Sequence, residues 1–482
     1  MDPKKGSFAP FRHKAFRRYL GIRFLLTVAA QLQTTILGFY VYQLTHSKIA
    51  IAFVGLSEVI PAIGIALYGG YVTDKTEKRG LLLKVGVGIW VIALAMLVVT
   101  LPHLLNPQMT VLMLYGLLFG NGTARAFYEP ALFAVYTQSI PKKDYPIGNN
   151  WNNLSWQAAS ILGPLAAGFL YAYGGGITMT FAVIGVLNLL VVLLITTLGL
   201  YPAINGSSKT PAQNQLPAQN QSPTQNQLPA QNQPPTQTQL PAQNQPPGKN
   251  IAAGLHFVFA NKLMLYAMSL DLFSVFFGGV SALLPVYALD LLKVGAQGLG
   301  VMRMAISAGA TLTMLVAVRF PPMGKPWRNL LIAVGGFGCC IIGFGLSGTF
   351  VLSVCFLFGQ GAFDSISVLI RSTIMQLLTP EHMRGRVASV NNMFIASTAE
   401  IGDFESGMMA SMLGTVPAVL VGGCITLGVV GFTLIRTKRL LGSSLDQLTT
   451  GDPAPAVPAS NVNAPAAPAS TVPAPEDLTA SV

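Results

Sequence analysis

A few ionisable side chains interrupt the long apolar runs of this 482-residue chain, and they carry its possible chemistry. Arg23, Glu58, Arg125, Glu129, Asp271, Arg303, Asp364, Glu400, Asp403 and Glu405 all lie in stretches otherwise rich in Leu, Ile, Val, Phe, Ala and Gly. A charge inside hydrocarbon is costly, so each is a candidate for a proton relay, a cargo contact or a gate. Arg125 and Glu129 are four apart on one helix face and can pair. Such a pair either holds charge in a cavity or fixes its helix. Asp364 follows Gly359 and Gly361, which permit close helix packing. A desolvated carboxyl there suits reversible protonation; hydrogen bonding to a neighbour such as Ser365 is the structural alternative. Glu400 and Asp403 are three apart and are expected to face a cavity, with Arg303 or Arg371 as possible partners. Glu405, beside Ser406 and Gly407, reads as a helix-packing contact. Glu58 precedes Pro61, where a helix loses a backbone bond and kinks, so it serves a gate or a cavity. Arg23, near a helix end, reads first as a snorkelling side chain, with a cavity role as the minority reading.

Twelve elements must position these groups. Charged residues are 10% and hydrophobic residues 52% of the chain, against about 25% charged in a soluble domain. The apolar runs are long enough to cross ~30 Å of hydrocarbon as helices and lack the short alternating strands of a barrel. Spans are predicted at 17–43, 48–72, 81–101, 108–138, 148–171, 177–200, 262–291, 296–318, 327–347, 349–372, 384–412 and 414–437. With both termini cytoplasmic, 23 of the 29 Lys and Arg fall on that side, and only Lys48 and Lys293 fall outside. The net charge of +12 is thus a membrane-topology signal rather than a nucleic-acid one. The expected class is an all-α polytopic protein of the inner (cytoplasmic) membrane. The basic start runs straight into span one, which is expected to act as its own targeting signal. Cys339, Cys340, Cys355 and Cys424 lie in spans without metal-site spacing, so they read as packing residues. No cofactor or metal is expected.

From Pro211 the chain repeats every six residues (PAQNQL, PAQNQS, PTQNQL and so on). A polar, proline-paced segment cannot bury a core and is expected to be a disordered cytoplasmic strap. The expected plan is therefore a six-helix half at 1–201, a linker at 202–250, a second half at 251–439 and a Pro/Ala-rich tail at 440–482. Ile251, Leu255, Phe257 and Val258 suit a short interfacial helix before span seven.

The loop after span two reads Gly69-Gly70-Tyr-Val-Thr-Asp74-Lys-Thr-Glu-Lys-Arg79-Gly80. Gly70 permits a close approach and turn, and the basic residues hold the loop in the cytoplasm. The spacing Gly-x-x-x-Asp-(x)4-Arg-Gly resembles the signature loop of the major facilitator superfamily. Three further stretches resemble its efflux branch, which includes the enterobactin exporter and the macrolide efflux proteins. They are Arg125 to Ala131, Gly163-Pro164-Leu-Ala-Ala-Gly168, and Met383-Arg384-Gly385-Arg386-Val387 followed by Asn391, Asn392 and Glu405-Ser406-Gly407. The segment Asp271 to Ala288 fits the same branch. The chain departs from the pattern at Ala159, at Glu129 and in the loop 319–328, which lacks the acidic residue of the first-half signature.

The resemblance implies two six-helix halves around a midplane cavity. It implies gating roles for Gly70, Asp74, Arg79, Gly163, Pro164, Arg384 and Arg386. Glu58, Arg125, Glu129, Asp364, Glu400 and Asp403 are the candidates for proton coupling or the cavity. The function expected is a monomeric secondary transporter rather than an enzyme. It would export a small amphipathic molecule, a siderophore or a drug, against inward-moving protons. Aromatics such as Trp151, Trp156, Tyr40, Tyr128 and Phe273 could stack on such a cargo or anchor in lipid. Uptake by the same fold, and a receptor or scaffold role for the repeat and tail, remain open readings. No phosphate-cradling G-x-x-x-x-G-K-[ST] loop is present to support direct ATP drive.

Overall fold

A computed structural model describes residues 8–198, 255–380 and 383–442. The hexapeptide repeat, and nearly all of the tail, lie outside the described residues. So do some side chains within helices, including those of Asp74, Arg384 and Arg386. The described chain forms twelve long helices. They are α1 (Lys14–Thr45), α2 (Lys48–Lys75), α3 (Lys78–Val99), α4 (Pro107–Ser139), α5 (Tyr145–Tyr173) and α6 (Ile177–Thr196). After the linker come α7 (Lys262–Phe277), α8 (Gly295–Arg319), α9 (Pro326–Leu346), α10 (Phe350–Leu378), α11 (Arg384–Leu413) and α12 (Thr415–Arg436).

Nine of these, counting α7 with its continuation to Leu291, are long and apolar enough to cross a membrane by composition. The others are α4, α5 and α11. They carry Arg125 and Glu129, the asparagines Asn149, Asn150, Asn152 and Asn153, and three carboxyls respectively, and such residues lower hydropathy where a helix faces a polar interior.

Local chemistry sets the helix ends. Ser47, Asn106 and Asn261 accept hydrogen bonds from the backbone amides of Ala50, Met109 and Met264 at 3.3, 2.9 and 3.1 Å. Each satisfies a donor that a helix start leaves unpaired. Glu77 caps α3 in the same way, through Gly80 N–H at 2.8 Å. Arg18 and Arg79 donate to the carbonyls of Thr197 and Thr196 at the C-terminus of α6. Cations there complement the exposed carbonyls and the helix dipole. Arg79 therefore ties α3 to α6 within its own half.

The two halves repeat one packing scheme. In the first, a Cβ on Gly69 or Gly122 of α2 and α4 would strike the carbonyls of Ala126 or Glu58; in the second, one on Gly309 or Gly361 of α8 and α10 would strike those of Phe358 or Ile306. Helices packed this closely are held by dispersion and exclude bulkier side chains. Gly69 makes the close approach that Gly70 was expected to make. Gly70 faces open space, and α2 continues past it to Lys75.

The run read as a single span at 262–291 is broken. α7 ends at Phe277, and Gly278–Val280 lead into a 3₁₀ turn (Ser281–Leu283), a helical turn (Leu284–Val286) and a π-helical turn (Tyr287–Leu291). Gly278 and Gly279 sit against Ile341 and Asp403 where a side chain would not fit, and Pro285 suits the start of the new helical turn. Uniform hydropathy hid this break.

The start of α1, the end of α6, the start of α7, the end of α12 and the 76–77, 140–144 and 320–325 connections share one end of the bundle, the terminal face. The halves meet closely toward the opposite face. Gly168 and Pro164 of α5 press on Ala296 and Gly300 of α8, and Gly407 of α11 on Lys48 and Ala52 of α2. Lys48 Nζ donates to the Ala410 carbonyl at 3.1 Å, and the Tyr42 hydroxyl donates to Asp290.

Candidate functional site

Two joined cavities occupy the middle of the bundle. The larger, about 300 Å³, lies mainly in the first half. Arg23, Gln31, Gln33 and Thr34 of α1, Glu58 of α2, Asn121, Arg125, Tyr128 and Glu129 of α4, Trp156 of α5, Asn188 of α6 and Glu400 of α11 line it. The smaller, about 120 Å³, lies between the halves. It shares Gln33, Thr34, Glu58, Arg125 and Glu400, and adds Gly55, Ser281, Ala282, Arg303 and Asp403.

The Arg125–Glu129 pair expected within α4 is not made. Arg125 Nη1 turns to Glu58 Oε1 of α2 at 3.5 Å, and Glu129 Oε2 meets Arg23 Nη1 of α1 at 3.3 Å. An intrahelical pair would leave Arg23 and Glu58 unpaired in the interior, whereas crossed pairing satisfies all four charges. Asn121 Nδ2 adds a hydrogen bond to Glu58 at 3.4 Å. Arg23 is thus a cavity residue, not a snorkelling one.

The second half mirrors this tie with the charges exchanged. Arg23 stands nine residues after Lys14, the first of α1, and Asp271 nine residues after Lys262, the first of α7. Asp271 pairs with Arg371 of α10, as Arg23 pairs with Glu129 of α4. The environments differ. Arg371 and Asp271 are 3% and 14% exposed, whereas Glu129 is 50% exposed. The second tie is buried and borders a separate, mostly apolar cavity of about 120 Å³ with Met268, Asn391, Phe394 and Thr398; the first is open to the larger cavity.

Asp403 sits where α7 breaks. A Cβ on Gly279 would lie 3.2 Å from its Oδ1, and the backbone amide of Ala282 donates to it. Amides freed at the start of a helical turn favour an anion there. Arg303 donates to the Ser281 carbonyl at 3.4 Å and lines the same cavity as Asp403 and Glu400. Glu400 borders both cavities and makes no ion pair or hydrogen bond among the described residues. It reaches toward Gly55 of α2, where a Cβ would lie 2.7 Å from its Oε2. Arg23, Arg125 and Arg303 face Glu58, Glu129, Glu400 and Asp403, so one carboxylate exceeds what the arginines can neutralise.

The other sequence candidates fall elsewhere. Asp364 lies within the second half, with Asp271, Ser274, Val334, Phe337 and Ser367 around a gap of about 10 Å³, and lines neither cavity. Arg371 is taken by Asp271 and does not reach Glu400. Gly163 brings α5 against Gln31 of α1, where a Cβ would lie 2.5 Å from that of Gln31; the Pro164 carbonyl faces Gly300 of the other half. The contact expected between Asp74 and the start of α11, with Arg384 and Arg386, involves side chains outside the described ones. Among the aromatics, Trp156 and Tyr128 line the cavity. Trp151 packs on Phe8 and Phe11 with ring centroids 5.4 and 4.8 Å away, and Phe273 stacks on Phe277.

Sequence reasoning missed Gln31, Gln33, Thr34, Asn121 and Asn188. Asn188 was detectable, because a lone amide in the apolar α6 is as costly an exception as a charge.

The model of the Major Facilitator Superfamily matches residues 19–402. The chain belongs to the Major Facilitator Superfamily. It is 23% identical over 448 residues to the enterobactin exporter EntS of Escherichia coli (strain SMS-3-5 / SECEC), covering 91% of this chain and 96% of the relative. The same values hold for EntS of Shigella boydii serotype 4 (strain Sb227). Among solved structures, a D-xylose-proton symporter superposes with a TM-score of 0.63 at 14% identity, over 89% of this chain and 98% of that one. The nucleoside transporter NupG gives 0.56 at 16%, over 89% and 98%. At such identities these two establish the fold. The chain is a multi-pass transporter of the inner membrane, not an enzyme, and the two curated relatives named here are enterobactin exporters.

Proposed function

We propose that this transporter exports a small amphipathic molecule of the siderophore or drug class, as a monomer, in exchange for protons. The terminal face is the cytoplasmic one. On this reading the structure is inward-facing, because the halves close toward the opposite face and the larger cavity lies on the terminal side of that closure. The carrying observation is Glu400. It is a carboxylate that makes no ion pair or hydrogen bond among the described residues, placed between the halves and bordering both cavities. A group that must take up and release a proton once per cycle needs access to both sides and no permanent counter-ion. The crossed pairs Arg23–Glu129 and Arg125–Glu58 hold their charges without a proton, and Asp403 is held by the Ala282 amide. This favours Glu400 as the proton carrier over Asp403, Glu58, Glu129 and Asp364. The relatives' named cargo makes enterobactin the first compound to test.

The experiment uses proteoliposomes with an imposed pH gradient of either sign, supplied with enterobactin. The parent should concentrate it against its gradient when protons run the other way. Glu400→Gln should lose that uphill movement yet retain exchange down a gradient. Normal gradient-driven transport by Glu400→Gln at equal incorporation refutes the assignment.

A further inference from the structure

An open groove of about 380 Å³ lies on the outer side of the first half, at the terminal face. Phe11, Arg17, Leu20, Gly21 and Phe24 line it from α1 and the turn before it, and Ser155 lines it from α5. It is separate from the larger cavity. With 3.6 residues per turn, Arg17, Leu20, Gly21 and Phe24 lie about a quarter turn around α1 from Arg23, Thr27, Ala30 and Thr34, which face that cavity. Gly21 faces α6 instead, where a Cβ would lie 3.5 Å from Leu194 Cδ1. On the face of α5 that carries Ser155, Leu162 and Phe169 follow at seven-residue spacing, and both are exposed. An apolar row left open on a membrane helix meets lipid tails. The groove therefore stands where the lipid-facing surface reaches the terminal face.

The second half repeats it. Phe259, Leu265, Met268, Ser269 and Leu272 each lie 248 residues after a residue of the first groove, as Lys262 lies after Lys14, and all five line the cavity beside Asp271. On α11, Phe394 stands 239 residues after Ser155, as Gly402 stands after Gly163, and the exposed Ile401 and Met408 repeat Leu162 and Phe169. One exchange changes the chemistry: where the first groove has the exposed Arg17, the second has Leu265. The Arg17 guanidinium makes no ion pair or hydrogen bond among the described residues. Arg12 and Lys14 are exposed beside it, and α1 opens without an acidic residue, although a helix N-terminus disfavours cations. Phe8 and Trp151, packed on Phe11, add rings of the kind that settle at a membrane interface.

We infer that the first-half groove holds one anionic phospholipid from the leaflet on the terminal face. Its acyl chains lie on Leu20, Gly21 and Phe24 and continue along the row of Leu162 and Phe169. A phosphate oxygen accepts from the Arg17 guanidinium, and Arg12 and Lys14 add to the positive potential. Leu265 deprives the second groove of the phosphate contact, so that groove does not choose between headgroups. The site lies off the cavity between the halves and rests on neither the direction of transport nor the coupling ion.

Native mass spectrometry of the full chain tests this, with the protein released from micelles that hold dioleoylphosphatidylglycerol and dioleoylphosphatidylcholine at equal concentration. The parent should retain one phosphatidylglycerol with about tenfold preference, the scale set by one or two cations near a membrane surface. Arg17→Leu gives the first groove the residue of the second. It should bring the preference to within about twofold of unity and leave phosphatidylcholine binding in place, which also shows that the variant is folded. Arg319→Leu removes an exposed cation of the same face outside the groove and should leave the preference unchanged. Equal retention of the two lipids by the parent, a preference that survives Arg17→Leu, or an equal loss in Arg319→Leu overturns the assignment. Displacement of phosphatidylglycerol by inorganic phosphate at the same concentration would assign Arg17 to a free anion and overturns it too.

Discussion

Replacing Gly300 by Val tests whether the halves separate at the surface where they touch. A Cβ at Gly300 would lie 2.5 Å from the Pro164 carbonyl oxygen and 3.2 Å from Gly168 Cα, all backbone atoms of the other half. Ordinary contact begins near 3.4 Å, so α5 and α8 must part by about 0.9 Å. Overpacking of this kind costs about 1–3 kcal/mol. The clash exists only while the halves are closed here, so opening relieves it. The cost becomes a population shift of roughly 5- to 150-fold toward the state open on this face. Gly309→Val is the control. Its Cβ would strike the Phe358 carbonyl, but both residues belong to the second half and no opening separates them. Spin labels at Leu104 and Lys293, both exposed on the opposite face, in a chain whose four cysteines are replaced by serine, report the separation by pulsed dipolar spectroscopy. Gly300→Val should lengthen the Leu104–Lys293 distance distribution with folding retained. Gly309→Val should leave the distribution unchanged and lower the melting temperature. An unchanged distribution in Gly300→Val at normal incorporation refutes the idea that this contact belongs to one state of the cycle.

The two mirrored ion pairs should respond unequally. Asp271→Asn leaves the Arg371 guanidinium buried without its counter-ion and should cost about 3–5 kcal/mol, seen as a large fall in the thermal melting of the purified protein. Glu129→Gln, at a half-exposed position, should cost under about 1 kcal/mol and leave the melting curve nearly in place. Removing residues 211–228, three hexamers of the repeat, should keep cargo flux per inserted molecule near the parent's. Loop-closure free energy changes by only about 0.6 kcal/mol per doubling of length, and a loss beyond roughly tenfold with normal insertion would mean that the repeat is a working part.

Much of the architecture was legible in the order of the residues. Span borders predicted from apolar runs fall within a few residues of most helix ends, because hydrocarbon thickness dictates length and the caps at Ser47, Asn106 and Asn261 mark the starts. The family was readable from the 69–80 loop and the Gly163-Pro164 stretch, and the importance of Glu58, Arg125, Glu129, Glu400 and Asp403 from the cost of charge in a membrane. All five line the joined cavities.

Partners were not legible. Spacing along one helix proposes Arg125 with Glu129, but only the assembled bundle brings Glu58 and Arg23 close enough to take them apart. Asp364 and Glu400 look alike as lone carboxyls in apolar runs; helix rotation puts one in a sealed gap of its own half and the other between halves. The break after Phe277 escaped detection because hydropathy is blind to backbone geometry, and Gly278–Gly279 becomes a break only when α11 presses Asp403 against it. Sequence by itself determined which segments enter the membrane, since transfer of a helix depends on the sum of its own side chains. Tertiary structure alone decided which charges neutralise each other and which one is left over, since that depends on distances of a few ångströms between residues far apart in the chain.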